Sequence, residues 1–397
     1  GGYGGDFKFV QKSISLFNNN SIKESILLFS ETSNRPPLIY ILHKIFNPFF
    51  GNIIGFRIVV FLISFLVPFL LFLCFKEKFK KTDNILLLLF TSIIFFNPFF
   101  RTSSFWGLEE NYAYISLLLS LLYLLKFINY EKRTDFKTYL NLTILTFSSS
   151  LCLYFDQKFF LIPLICFIKI ITSNHHIKLK IFSIFLYSIF SIPFLYLISI
   201  WGGIFPSDIY YIGQQFYPHH IGFVVTIIAF IIFPFFILTI KNFKNNIIFF
   251  LKNKINYFFL LAIVLYIIFL AFFYDNSFIQ NKMDGGGIIK KISFILFENL
   301  LLRKFFIYTS FLFSTLIIML FLNKNLVEIG VILYFIIIAS ITSPFYQEYL
   351  DPLLFFLIFF LFRRPFELKF IKGVVLYFYF LVFLIGSVYY YSFTLNI

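Results

Sequence analysis

Apolar runs about as long as a bilayer is thick alternate along this chain with short polar punctuation. A helix needs ~20 apolar residues to cross the hydrocarbon. Runs near that size lie at 53–75, 84–100, 111–128, 138–155, 159–172, 181–200, 221–240, 257–274, 305–322, 326–342, 353–362 and 371–392. Those at 159–172 and 353–362 are the shortest. Pro68, Pro163, Pro193 and Pro234 fall inside runs, where neighbouring helices re-satisfy the freed backbone groups. The pattern predicts an all-α, polytopic integral membrane protein with about twelve transmembrane helices in 53–397. A non-spanning first segment, 1–52, precedes them. In that segment apolar residues recur at helical spacing over 9–16 and 22–29, which predicts two amphipathic helices lying in the membrane interface. Pro36 and Pro37 then force an extended entry into a third interfacial helix.

Composition sharpens this reading. Of 397 residues, 60% are hydrophobic and 13% charged, where a soluble domain carries roughly 25% charged residues. The net charge of +15 forms no single patch, so it gives no reason to expect nucleic acid. It alternates from loop to loop instead. Loops 76–83, 126–137, 169–180, 241–254, 324–328 and 363–372 hold 20 of the 33 basic residues and 6 of the 18 acidic ones. By the positive-inside rule these loops are cytoplasmic. Segments 1–52, 101–110, 156–158, 201–220, 275–304 and 343–352 are then outer. An outer 1–52 needs a helix before it, so the Gly1-Gly2-Tyr3-Gly4-Gly5-Asp6 opening reads as the exit of a preceding span. Cys74, Cys152 and Cys166 fall inside apolar runs and read as packing residues, not as a disulfide framework or a zinc site.

Candidate chemistry concentrates on the outer side. Asp6, Glu109, Glu110, Asp156, Glu348 and Asp351 sit at the mouths of spans, where a charge is costly unless it meets water or a partner. Asp156-Gln157-Lys158 interrupts two apolar runs with almost no loop, and charges set so tightly pair with each other or line a cavity. Arg101 to Glu110 reads as a short outer loop over a pocket, with Trp106 as an interface residue. His219 and His220 are adjacent, cannot both face one metal from a helix, and have no evident third ligand. Gly285-Gly286-Gly287 reads as a flexible outer segment.

The Gly-Asp exit, two surface helices, Pro36-Pro37-Leu38 before an interfacial helix, Phe50-Gly51 and then Arg57 in the next span together resemble the GT-C superfamily of membrane glycosyltransferases. The branch most resembled holds dolichyl-phosphate-mannose-protein mannosyltransferases and aminoarabinose transferases. The resemblance is firmest over 1–60. It extends more loosely to Asn97–Tyr114 and to 343–352, whose Tyr and Pro are similar to a late outer-loop motif. Relatives often carry an Arg before that Tyr; this chain has Glu348 before Tyr349. The resemblance implies a GT-C-like fold, a lipid-phosphate sugar donor and a first-loop acidic residue acting at the acceptor, the position Asp6 matches.

Transfer from a polyprenyl-phosphate sugar needs a carboxylate near the acceptor hydroxyl or amine and cations where the leaving phosphate develops charge. Asp6, Glu109 and Glu110 are the catalytic candidates. Arg101, Lys158, Arg303 and Lys304 are the donor-phosphate candidates. Arg35, Tyr346, Glu348 and Tyr349 are candidates for an acceptor or substrate loop. No metal ligands are assigned, and no cofactor is called for beyond, at most, a divalent metal ion. The expected partners are a polyprenyl-phosphate sugar donor, a lipid or glycan acceptor and the bilayer. The expected setting is a bacterial inner membrane with the site facing the periplasm. The alternatives are a transporter or flippase of lipid-linked saccharides and a polysaccharide polymerase or ligase. The chain shows neither the repeated halves of the first nor the large late outer loop of the second.

Overall fold

Short polar side chains set where the helices begin. In the computed structural model, which describes residues 6–33, 35–129, 134–203, 215–238, 254–275, 277–280, 285–322, 326–342, 345–362 and 368–389, Asn52, Asp83, Asn97, Asp135 and Asn299 each accept a hydrogen bond from a backbone N–H of the first helical turn. Such caps satisfy donors that a helix start would otherwise leave open. Every described element is helical, and no strand occurs among the described residues. Residues 1–5, the stretches 130–133, 239–253 and 363–367, and the pair 343 and 344 of the late motif lie outside the described residues.

The chain divides into two compact units, Gly1–Tyr210 and Tyr211–Ile397. The first unit opens with α1 (Asp6–Asn19) and α2 (Ile22–Leu28), the latter started by a reciprocal Ser21–Glu24 capping box. Helix α3 (Leu38–Phe46) follows Pro37. Residues 6–52 thus hold three short helices and belong to the first unit together with the helices that follow them. Phe17 of α1 and Phe29 meet Tyr40 of α3, and Tyr40 stacks on Phe56 in α4 (Ile53–Ser64), with ring centroids 5.6–6.1 Å apart. That aromatic column fixes the first segment to the helices behind it.

Next come α5 (Leu66–Lys78), α6 (Asn84–Ser92), α7 (Pro98–Trp106), α8 (Glu110–Asn129), α9 (Phe136–Phe155), α10 (Leu161–Ile171) and α11 (Ile177–Trp201). The stretch from Arg101 to Trp106, expected as loop, is helix. Asn97 caps it, Pro98 occupies its first turn, and Gly107 ends it in the left-handed conformation at φ 76°. Helices α8 and α9 pack on each other, and where fully buried Ala113 and Cys152 meet, the Cys152 thiol lies 3.8 Å from the Ala113 carbonyl. Small residues let backbones approach closely. The three cysteines are free and buried, as their apolar setting predicts. Beside Pro193 in α11, the Tyr154 hydroxyl donates to the Phe190 carbonyl and accepts from Phe194 N–H at 3.0 Å. A side chain thus enters the helix ladder where proline disturbs it.

The second unit is built around α12 (Pro218–Leu238), which contacts α15 (Gly287–Leu296), α16 (Leu300–Phe321), α17 (Leu326–Ser340), α18 (Leu353–Leu361) and α19 (Phe370–Tyr389). Helix α13 (Lys254–Phe272) and the single turn α14 (Ser277–Gln280) pack on α16. Gly222 admits the ring of Phe311, for a Cβ there would lie 2.2 Å from it. The Gly285-Gly286-Gly287 triplet is packed, not open. Gly286 N–H donates to the Phe345 carbonyl at 2.9 Å, and a Cβ on Gly285 would sit 1.9 Å from that oxygen.

Among the described residues six helical stretches are long and apolar enough to cross a membrane: Ile53–Lys78 (α4 running on into α5), Glu110–Asn129, Ile177–Trp201, Pro218–Phe235, Leu300–Phe321 and Phe370–Tyr389. A seventh arises if Asn84–Phe96 and Pro98–Trp106, bent by 68°, count as one span. The remaining runs of the twelve take other forms among the described residues. Helix α10 has 11 residues and α18 has 9, lengths of about 16 and 14 Å against a hydrocarbon core of about 30 Å. Asn256–Phe272 and Leu326–Ser340 are apolar but shorter than the six, and α9 carries a Ser148-Ser149-Ser150 run that lowers its hydropathy. Ile181, Phe185, Ile192 and Leu195 of α11 are exposed. A surface of that composition is stable against lipid, not water.

The packed glycines give a direct check. Gly285→Ala is expected to lower stability by about 1–3 kcal/mol through overpacking. Gly330→Ala, in helix α17 with nothing within 4 Å of the new Cβ, is expected to be neutral or to stabilise by up to ~1 kcal/mol. Thermal unfolding of both variants in detergent tests the pair; equal losses would refute the packing.

Candidate functional site

The reversal between α7 and α8 places two consecutive glutamates at a helix start. Leu108 N–H and Gly107 N–H both return to the Ser103 carbonyl, at 2.9 and 3.1 Å. The Ser103 and Ser104 hydroxyls donate to Asn111 Oδ1 at 3.2 Å each. This knot fixes the first turn of α8, and the partial positive charge of a helix N-terminus favours carboxylates there. Glu109 and Glu110 are 4% and 6% exposed.

Their partners come from two other segments. Arg35, in the link before α3, donates through Nη1 to Glu109 Oε1 and lies 3.0 Å from Glu110 Oε1. Lys158, in the short turn between α9 and α10, places Nζ 3.2 Å from Glu110 Oε1 and 3.2 Å from Asp156 Oδ2. Asp156 also accepts Lys158 N–H at 2.9 Å and so shapes that turn. Within the cluster, three carboxylates face two cations.

Burial is the largest influence on the Glu109 carboxyl and lifts its pKa above the ordinary range; Arg35 opposes the rise and the Glu110 charge adds to it. Burial works against the Lys158 ammonium, but Asp156 and Glu110 outweigh it and hold its pKa well above the ordinary lysine value. The cluster therefore contains a carboxyl poised to exchange a proton beside an ammonium that stays charged.

A second network lies one helical turn along α8. Asn47 Oδ1 accepts Phe49 N–H at 2.9 Å, which turns the Asn47 amide nitrogen toward His43 Nδ1, 3.0 Å away. His43 Nε2 then carries the proton and meets the Tyr112 hydroxyl at 2.6 Å. Burial lowers the His43 pKa to about 4, so this imidazole is neutral.

Of the sequence candidates, Arg35, Glu109, Glu110 and Lys158 come together, and Asp156 joins them. Asp6 opens α1, and its side chain lies outside the described residues. The neighbouring Phe7 ring packs 5.2 Å from Trp106, and the Arg57 guanidinium lies over the rings of Phe7, Phe105 and Trp106. Trp106 is thus part of an aromatic box around Arg57. Arg101 is exposed on α7. Lys158, expected at a donor phosphate, has both neighbouring carboxylates as partners, and Arg35, expected in a substrate loop, is an ion-pair residue.

The other candidates belong to the second unit. Arg303 donates to the carbonyls of Phe297 and Glu298 at 2.7 and 2.8 Å and lies over the Phe294 ring, so it closes the end of α15. Lys304 follows it in α16. Tyr346 is exposed, Glu348 half-buried, and Tyr349 packs on Phe345. Gln347, which the sequence reading passed over, accepts Ile288 N–H at 3.1 Å and ties the late motif to α15. His219 and His220 lie in the first turn of α12, facing the Tyr274 hydroxyl and the Ala339 carbonyl. No group of three or more His, Cys, Asp or Glu side chains suited to a metal ion occurs among the described residues.

A cavity of about 450 Å³ lies away from the carboxylates, among Glu77, Lys78, Phe79, Lys80, Lys81, Thr82, Leu125 and Asn129. Glu77 is engaged there by Lys80 and Asn129. The paired charges of the first unit thus separate as the loop chemistry separates. Segments 1–52, 101–110 and 156–158 meet in one cluster, and loops 76–83 and 126–137 meet in another.

If Lys158 holds the cluster together, Lys158→Met should cost about 3–5 kcal/mol, because it strands buried charge. Adding Asp156→Asn should recover part of that loss. A double-mutant cycle read by thermal unfolding decides; independent, additive losses would show that the two residues do not interact.

Comparison with protein-family models, curated proteins and solved structures returns no match for this chain.

Proposed function

We propose that this protein is a membrane glycosyltransferase that moves a sugar from a polyprenyl-phosphate carrier to an acceptor on the non-cytoplasmic side. The observation that carries the reading is the buried ion cluster of Arg35, Glu109, Glu110, Asp156 and Lys158. It draws on segments 1–52, 101–110 and 156–158, which together carry 7 basic and 6 acidic residues and which this reading places on the outer side, and it includes a carboxyl with a raised pKa. The GT-C resemblance of the first sixty residues supports the same reading. So does the apolar surface, which suits a lipid-borne donor. The proposal includes the finer topology of about twelve spans and a bacterial inner membrane with a periplasmic site.

In the proposed reaction Glu109 takes the proton of the acceptor hydroxyl or amine as that group attacks the anomeric carbon. The bond from that carbon to the phosphate oxygen breaks, and its electron pair leaves with the polyprenyl phosphate. The configuration inverts. Arg35 and Lys158 hold the carboxylates in place. With those two charges matched, the leaving phosphate falls to another cation, and exposed Arg101 is the first candidate in this unit. Asp6 keeps the acceptor-side role implied by the resemblance.

The test uses the purified protein in lipid nanodiscs with radiolabelled undecaprenyl-phosphate sugars, following sugar release. Glu109→Gln is expected to lower turnover by about 10²–10⁴-fold. Because a raised pKa keeps Glu109 protonated at mildly acidic pH, wild-type turnover should rise with pH through a limb above the ordinary carboxylate range, and the variant should lose that limb. Asp6→Asn run alongside separates the two carboxylate roles. Absence of turnover with every donor, together with movement of labelled lipid between leaflets, would replace this reading with a flippase.

A further inference from the structure

Among the described residues, five buried side-chain atoms lack a hydrogen-bond partner, and two of them in the first unit, on Glu110 and Trp201, are of opposite kind. Glu110 Oε2 is an acceptor, while all the ion pairing of that side chain runs through Oε1. Trp201 Nε1, at the last residue of α11, is a donor on a residue 3% exposed. Trp201 belongs to the same apolar cluster as Tyr154, two residues before Asp156, and Leu38, three residues after Arg35, packs against that cluster. Buried indole N–H groups normally find a partner, and an unmet buried group in a native structure calls for an explanation.

We infer that Glu110 Oε2 and Trp201 Nε1 are the acceptor and donor for hydroxyl groups of a bound saccharide, an assignment that rests on the proposed transferase reading. The chemistry of the two atoms narrows the ligand. A carboxylate oxygen only accepts, and an indole nitrogen only donates. A phosphate offers acceptors alone, cannot satisfy Glu110, and would meet three carboxylates. A metal ion or an ammonium group would satisfy Glu110 but leave the indole unmet. Hydroxyl groups both donate and accept, so a polyhydroxylated ligand satisfies both atoms. Either the sugar of the donor or that of a glycan acceptor supplies this chemistry.

The chain holds two tryptophans, so Trp106→Phe leaves Trp201 as the only indole reporter. In nanodiscs, undecaprenyl-phosphate hexose is expected to quench or shift Trp201 emission, and bare undecaprenyl phosphate is expected not to. In the otherwise native protein, Trp201→Phe keeps the ring and removes only the unmet N–H. Its melting temperature should hold or rise, while its affinity for the sugar-bearing lipid falls about five- to tenfold, as for a lost neutral hydrogen bond. A lower melting temperature with unchanged affinity would overturn the inference and make Trp201 a packing residue. An equal response to bare undecaprenyl phosphate would overturn it too. Methyl glycosides and a short oligosaccharide separate the two readings. If they act on Trp201 where no lipid donor binds or turns over, the saccharide site stands and the transferase falls. If lipid donors turn over with Trp201 silent to every saccharide, the transferase stands and this site falls.

Discussion

A charge buried at the mouth of a membrane helix must be matched, and in this protein that requirement joins segments far apart in the chain. Glu109 and Glu110 cannot both remain ionised at the start of α8 without counter-charges, because burial penalises each carboxylate. Arg35 and Lys158 provide them, and Asp156 in turn holds Lys158. The match brings the link before α3 and the turn between α9 and α10 onto the same helix start. What surrounds it is arranged to keep these groups dry and fixed: the Ser103–Ser104–Asn111 knot below and the aromatic column from Phe17 to Phe56 beside it.

The same balance explains why the cluster suits chemistry better than stability. Well-packed apolar residues of similar volume commonly stabilise a fold as much as buried ion pairs do, or more. Three carboxylates against two cations leave one carboxyl with reason to hold a proton, and burial shows which way Glu109 leans. The His43–Asn47–Tyr112 chain next to it is closed, and burial lowers the His43 pKa where it raises that of Glu109.

Much of the architecture was legible from local pattern. The amphipathic first helices and the Pro37 entry were legible in this way. The structure adds the caps at Asn52, Asn97, Asp135 and Asn299, each of which acts on its own first turn. The reading failed where a local signal met a tertiary one. Arg101–Trp106 looked like loop because it is polar, yet the Asn97 cap and Gly107 make it a helix. Gly285-Gly286-Gly287 looked open because glycine is permissive, yet the triplet is there to let Phe345 approach. Runs 159–172 and 353–362 did not reveal how short their helices are, 11 and 9 residues.

By itself, then, the sequence determined that the chain is helical and membrane-embedded, and that carboxylates gather in one alternate set of its loops. Those properties depend on hydrophobic period and on loop charge, both of which act within a turn or two of the residue concerned. Only the tertiary structure decided which charges meet. Arg35 lies 74 residues from Glu109 and Lys158 lies 48 from Glu110, and no periodicity in a single sequence couples positions so far apart. Their pairing is set by how helices of fixed length stack. The same packing turned Lys158 from a phosphate candidate into a carboxylate's partner and left one oxygen of Glu110 and the indole of Trp201 unmet.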